Sequence, residues 1–476
     1  MAKIIIGREE EKAILNGLLD ETGAQLLAVY GRRRIGKTYL IKTFFADQLA
    51  FDCSGEANGS LATQLQNFSV RMAECFSIKK LVTPLTWQAA FQLLETSLKK
   101  NKAKKKRVIF FDELLWLDTH RSGFLSAFTY WWNMYAAADD TRLVVICGSA
   151  ASWMIKKLVN NKAGLHNRIT CSIRLMPFNL KETEAYLLYR KINLTRYQVL
   201  QLYMIMGGVP HYLNTILPGK SIAQSVQKVC FTKDGLLKNE FENLYGALFA
   251  NADKHIMVVR LLASRAMGLT RGEIVSGIKN VSSGGTLSMV LTELLESGFI
   301  DKVLPFEKKS KDTIYRLTDE FTGFYFRFMP GAGVGSGWAQ VQQSAAFQIW
   351  CGFAFENLCI RHIEAIKNKL GISSVYTEQS SWRVHGSKSK AGAQIDLLID
   401  RKDDCINLCE MKFYNTEFIV TKKYAAELAN KRAAFANDSK TKKAIFITLI
   451  STYGVKDNEY KIQQIQDTVL MNDLFQ

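Results

Sequence analysis

The chain has 476 residues, of which 48% are hydrophobic and 22% charged, with 62 Lys and Arg against 44 Asp and Glu. That length corresponds to about three domains, and the net charge of +18 favours a polyanionic partner such as nucleic acid or nucleotide phosphate. No run is long and apolar enough to span a bilayer, MAKIIIGREEEK is no secretory signal, and nine cysteines and six histidines fall in no zinc-ligand spacing, so free thiols in a reducing cytoplasm are expected.

Residues 1–180 alternate short apolar runs with amphipathic segments, the pattern of a parallel sheet covered on both faces. Strands are expected at 25–30 (QLLAVY), 48–53 (QLAFDC), 107–111 (RVIFF) and 142–147 (RLVVIC). The first strand runs into YGRRRIGKTYL, where Gly31, Gly36, Lys37 and Thr38 fit G-x-x-x-x-G-K-[ST]. Glycines let the backbone approach phosphate, and the following helix adds its positive N-terminal end. The expected phosphate cradle is therefore Gly31, Arg32, Arg33, Arg34, Ile35, Gly36, Lys37, Thr38 and Tyr39. Lys37 would reach the outer phosphates of ATP, and Thr38 would offer its hydroxyl to Mg2+.

The lysine run 99–107 reads as a solvated loop. RVIFFDELLWL then sets Asp112 and Glu113 at the end of a strand expected to neighbour the first. Asp112 would hold Mg2+ and Glu113 would polarise the attacking water; an acidic pair at this point also suits a helix cap. RLVVICGSAASWM ends in Ser149, read either as a sensor of the outer phosphate or as a capping serine. Residues 181–252 are helical in pattern. Residues 253–330 show three helical patterns and then a hairpin, which suggests a winged helix-turn-helix. Residues 331–345, with four glycines, read as a linker, and 346–476 as a second α/β region.

IGREEEKAIL (6–15), VYGRRRIGKTYLI (29–41), FFDELLWL (110–117), CGSAASWM (147–154) and GGVPHYL (207–213) together resemble the archaeal-type branch of STAND P-loop ATPases, relatives of AAA+. The resemblance covers about 330 residues. It implies a nucleotide-dependent switch, with 181–252 as a helical lid. It also implies Pro210 near the adenine, Arg8 near the nucleotide, and Arg168 near phosphates of its own or a neighbouring site.

QIDLLIDRKDDCINLCEMKFY (394–414) is an alternating hairpin. With its turn centred near Asp403, Asp396 faces Glu410, and Lys412 shares their side of the sheet. Leu397, Ile399, Cys409, Met411 and Phe413 fall on the other side. Two carboxylates and a lysine are what a metal-dependent phosphodiesterase needs. The pattern I-D-x(13)-E-x-K resembles the PD-(D/E)xK nuclease superfamily, in a restriction-endonuclease-like fold. That resemblance implies a further metal ligand, Glu356, from the helix IWCGFAFENLCIRHI (349–363). It implies Asp396 and Glu410 as ligands of Mg2+ or Mn2+, and Glu410 with Lys412 in catalysis. The 422–435 helix would cover the sheet, with Lys431 or Arg432 on DNA backbone. The expected molecule is an α/β ATPase switch coupled to a nuclease-like domain. DNA is its expected partner, alongside another copy or another protein, with no membrane. The rival is a nucleotide-dependent interaction protein that binds without cutting.

Overall fold

The computed structural model describes residues 4–80, 82–100, 105–149, 168–249, 251–278, 284–330, 337–384 and 392–476. The chain forms two units, Met1–Pro177 and Phe178–Gln476.

The first unit is built on five parallel strands: β1 (Gln25–Tyr30), β2 (Leu49–Ser54), β3 (Arg107–Asp112), β4 (Arg142–Gly148) and β5 (Cys171–Arg174). Their order in the sheet is β2-β3-β4-β1-β5. The first four lie within a residue or so of the runs expected from sequence, because a strand buried on both faces must be apolar throughout. Among the described residues this unit also carries the helices α1 (Glu9–Asp20), α2 (Lys37–Phe44), α3 (Leu61–Phe76), α4 (Trp87–Lys100), α5 (Leu114–Leu117) and α6 (Phe124–Met134).

One face of the sheet carries an aromatic layer of Phe51, Phe68, Trp87, Phe91, Phe111 and Trp131. The other is aliphatic, with Leu15, Leu27, Ile41, Val108 and Val145. Each such side chain contributes about 1.5–3 kcal/mol by leaving water. Two expectations change here. Lys99 and Lys100 end α4, and Arg107 opens β3, so the lysine run is only in part a loop; 101–104 lie outside the described residues. The acidic strand β3 is not the neighbour of β1, because β4 lies between them.

The second unit opens with the helices Leu180–Tyr189 and Arg196–Met206, each started by a capping box (Asn179 with Glu182, Thr195 with Gln198). Three helices follow at Asp253–Ala263, Arg271–Gly277 and Gly285–Glu296. With them goes a small antiparallel sheet of β6 (Leu269–Thr270), β7 (Ile300–Val303) and β8 (Ile314–Leu317), in the order β6-β8-β7.

The Ala345–Arg361 helix then leads to a second five-stranded sheet: β9 (Thr377–Val384), β10 (Ala393–Arg401), β11 (Cys405–Lys412), β12 (Ala444–Ser451) and β13 (Asp467–Leu470). Its order is β13-β12-β11-β10-β9; β9, β10 and β11 pair antiparallel, and β11, β12 and β13 parallel. The Lys422–Ser439 helix makes the crossover from β11 to β12.

The largest apolar core of this unit runs from Phe178 to Phe475, and two smaller ones, around Leu428 and Leu449 and around Trp382 and Phe435, lie against the second sheet. The boundaries expected at 252, 330 and 345 mark changes of pattern but no break in that core. Within the stretch expected as a linker, Trp338 opens a short helix (Trp338–Gln342) and is only 2% exposed, against Phe231, Phe324 and Phe347. Polar and glycine neighbours hide this in the sequence, since one tryptophan supplies the burial; 331–336 lie outside the described residues. Among the described residues no helix is long and apolar enough to cross a membrane.

Candidate functional site

The phosphate loop leaves β1 at Tyr30. Its first residue, Gly31, has φ +146°, and a Cβ there would stand 2.3 Å from the Leu175 carbonyl oxygen. Only glycine fits so close an approach. Gly36 (φ 91°) is the N-cap of α2 and offers no side chain to cap its first N–H groups. The chain thus presents the donors that a phosphate would accept from.

Lys37 is buried, and its Nζ donates to the carbonyl oxygens of Gly31 at 2.9 Å and Arg32 at 2.8 Å. Burial lowers its pKa, while the charges of Glu113 and Asp112 push it back up. Arg33 lies over the Trp116 ring at 5.0 Å. The Arg34 backbone takes φ 73°, Ile35 is buried, and Tyr39 is half exposed with its hydroxyl donating to the Ile4 carbonyl at 2.9 Å. Arg8, also buried, reaches the same loop through Nη2 and the Ile35 carbonyl, 3.4 Å apart.

The carboxylates lie at the end of β3. Thr38 Oγ1 donates to Asp112 Oδ2 at 2.6 Å, although β4 stands between their strands. Asp112 Oδ1 accepts the Glu113 N–H at 3.0 Å. Glu113 has φ 47°, and its side chain makes no cap bond to α5. Instead Glu113 Oε2 accepts from Ser149 Oγ at 2.8 Å, where β4 ends. The intervening strand explains this pairing: it delivers Ser149 between the phosphate loop and the acid pair. The structure therefore gathers Arg8, Lys37, Thr38, Asp112, Glu113 and Ser149 around one strand end. Arg168 Nε donates to Asn133 Oδ1 on α6. Pro210 belongs to the second unit, at the first turn of the short Pro210–Leu213 helix.

The hairpin of the second unit keeps the register read from sequence between Leu397 and the turn. Leu397 pairs with Cys409 and Ile399 with Asn407, the register expected from a turn at Asp403, and β10 is irregular between Ile395 and Leu398, the stretch that holds Asp396. Leu397, Ile399, Cys409 and Met411 share the core with Phe355 and Leu358 of the Ala345–Arg361 helix. Asp396 Oδ1 accepts from Gln394 Nε2 at 2.6 Å and lies 3.8 Å from Arg316 Nη2. Glu410, buried, accepts from the Tyr424 hydroxyl at 3.2 Å and is paired with the Lys431 ammonium. Lys412 Nζ lies over the Tyr424 ring at 4.9 Å. Glu356 is pushed up to about 8 by burial first and then by the charge of Asp396, with Glu410 adding to it and Arg316 and Lys412 opposing.

Lys431 is thus held inward on Glu410, where sequence had suggested a contact with DNA backbone. Tyr424, Leu428, Lys431 and Phe435 recur on one face of their helix, and that spacing was the available signal. Arg316 carried no such signal, because β8 lies 80 residues from Asp396 in sequence. Among the described residues no three acidic, histidine or cysteine side chains close on one point as a metal cage does.

A family profile described as an ATPase domain predominantly from Archaea matches residues 5–216. An uncharacterized protein of Methanocaldococcus jannaschii, MJECL04, is 25% identical over 367 residues, covering 75% of this chain and 76% of that protein. That share exceeds what residues 5–216 contain, so the likeness extends into the second unit. An uncharacterized ATP-binding protein of the same organism, MJ0423, is 42% identical over 45 residues, 10% of this chain and 76% of that protein. Among solved structures, the Walker-type ATPase PABY2304 of Pyrococcus abyssi shares 16% identity at a TM-score of 0.49, over 68% of this chain and 96% of that one.

Proposed function

Residues 5–216 are an archaeal-type P-loop ATPase domain, and from that premise we propose a nucleotide-driven switch of the STAND type whose second unit acts on DNA at a nuclease-like site. The observation that carries the nucleotide half is the contact of Thr38 with Asp112. A hydroxyl and a carboxylate so placed are hard oxygen donors, which suits Mg2+ with its remaining positions left to phosphate and water. When bound, the ion would neutralise charge on the transferred phosphoryl group.

The chain's own residues do the rest. Lys37 exchanges the Gly31 and Arg32 carbonyls for phosphate oxygens. Glu113, released by Ser149, accepts a hydrogen bond from water and orients it for attack. In the state described here Ser149 occupies that carboxylate, which suits a slow, switch-like hydrolysis.

In the second unit, Glu356, Asp396 and Glu410 are oxygen donors of the kind Mg2+ or Mn2+ takes, but among the described residues they do not close on one point, and Glu410 is paired with Lys431, so a metal there would require these side chains to regroup. Glu356 feels the charges of Asp396, Glu410 and Lys412 together, and that grouping supports metal-assisted phosphodiester hydrolysis. Residues 253–330, three helices with a small antiparallel sheet, support the winged-helix reading. The setting we infer is the cytoplasm.

Plasmid nicking tests the reading. With Mn2+ and ATP the full chain converts supercoiled to open circular DNA. Asp396→Ala and Lys412→Ala abolish this and leave ATP turnover unchanged. A plasmid intact after long incubation refutes cleavage. The Lys431–Glu410 pair favours a second reading, in which this unit binds DNA without cutting. Salt-sensitive binding with no nicking is its signature.

A further inference from the structure

A cavity of about 430 Å3 lies between β8 and the β9–β10 pair, within the second unit. Four cationic side chains line it: Lys308, Lys311, Arg316 and Arg383. Its two acidic side chains are already engaged. Glu273 accepts from the Thr270 N–H at 2.7 Å and the Thr270 hydroxyl at 2.8 Å, and Asp312 accepts from the Lys309 N–H at 3.2 Å. The cavity is therefore electropositive.

Arg316 is its anchor. The residue is 4% exposed, and among the described residues two of its buried guanidinium nitrogens, Nε and Nη1, have no hydrogen-bond partner. Its Nη2 stands 3.8 Å from Asp396, beyond hydrogen-bond range. Burying charged N–H groups unpaired is costly, and a planar guanidinium matches phosphate oxygens in fork geometry. Lys308, Lys311 and Arg383 are exposed and extend the positive surface outward from it. Gln394, in the wall of the same cavity, donates to Asp396, so the cavity abuts the carboxylate cluster.

We propose that this cavity binds a backbone phosphate of a nucleic-acid strand, with Arg316 as the buried anchor and Lys308 and Lys311 at its mouth. The choice of a strand over a free anion rests on the DNA reading above and on two observations here. The volume exceeds what one inorganic phosphate fills, and the cations continue outward from the buried anchor. A strand held there runs beside Asp396.

The test is titration of a labelled single-stranded oligodeoxynucleotide with the full chain across a range of salt, without divalent metal. The exposed pair Lys308→Glu/Lys311→Glu raises Kd about tenfold or more and reduces the slope of log K against log salt by about 1.4. Arg316→Lys, which keeps the charge and loses the fork, raises Kd about tenfold; a wild-type melting temperature shows that the fold is intact. Wild-type Kd and slope in both variants overturn the proposal. So does a melting shift by inorganic phosphate with no oligonucleotide bound, which assigns the cavity to a free anion. The cleavage reading fails separately: an unmutated chain that binds the oligonucleotide with the expected salt slope yet never nicks plasmid refutes cleavage and upholds this site.

Discussion

Lys37 donates to two carbonyls of its own loop, so its ammonium is hydrogen-bonded within the loop itself. ATP replaces those bonds, which is why one side chain decides turnover. Lys37→Ala is expected to lower ATP hydrolysis at least about 100-fold, since a preorganised charge at the reacting phosphate is lost; phosphate release under saturating ATP measures it. His362 is the titration marker of the second unit. Its Nε2 accepts the Leu180 N–H at 3.0 Å and its Nδ1 donates to the Leu358 carbonyl at 2.8 Å. Burial pulls its pKa down to about 4, with the nearby Arg361 charge acting the same way and the Leu358 bond opposing. The unfolded imidazole titrates near ~6.5, so acid favours the unfolded chain. The contribution is complete above about pH 6.5 and shrinks toward pH 4, a loss of about 2 kcal/mol by pH 5. Urea midpoints at pH 7 and pH 5 should show it, and His362→Gln should remove that part of the difference. The phosphate-loop residues were legible because they are contiguous, and contiguity carries the strand, the loop and the helix end together. Arg316 and Lys431 were not, because their roles depend on which distant carboxylate the fold brings to them.

At the scale of elements, the hairpin was legible down to its register. Side chains alternate with a period of two, and a turn centred at Asp403 fixes the pairs from Asp400–Ile406 to Leu397–Cys409, but not the irregularity that follows at Ile395–Leu398. The strand order of the first unit was not legible. Four apolar runs state that strands exist, but nothing local states that β4 inserts between β1 and β3. That insertion gives Ser149 its bond to Glu113. The Trp338–Gln342 helix shows the opposite failure: a glycine-rich surrounding masked a buried anchor. Trp338→Ala should destabilise the second unit by about 3–5 kcal/mol, visible as a lowered urea midpoint, whereas a true linker would tolerate it.

At the scale of the molecule, the chain forms two units, and the largest core of the second is shared by its first helices and its last turn. The Arg196 guanidinium lies 4.9 Å from the Phe475 ring centroid. His362 likewise ties Leu180 to the Ala345–Arg361 helix. A fragment of residues 346–476 alone is therefore expected to bind a hydrophobic dye and melt without a cooperative transition. The intact second unit, 178–476, should melt sharply. A sharp transition in the short fragment would contradict this dependence on the shared core. Charge is a property of the same scale: +18 was readable at once, but only folding concentrates part of it around Arg316.

The close approach at Gly31 has a mechanical consequence. The Leu175 N–H donates to the Tyr30 carbonyl at 2.8 Å, and the Leu175 carbonyl presses where a Gly31 side chain would be. Gly31→Ala should accordingly cost about 3 kcal/mol and distort the loop, read as a lower melting temperature together with weakened nucleotide binding. Leu175 is two residues from Pro177, where the first unit ends. The peptide that carries the chain out is thus bolted to the peptide that begins the phosphate cradle. A tug on the outgoing strand and a shift of the cradle are one movement, so the tether is also a lever.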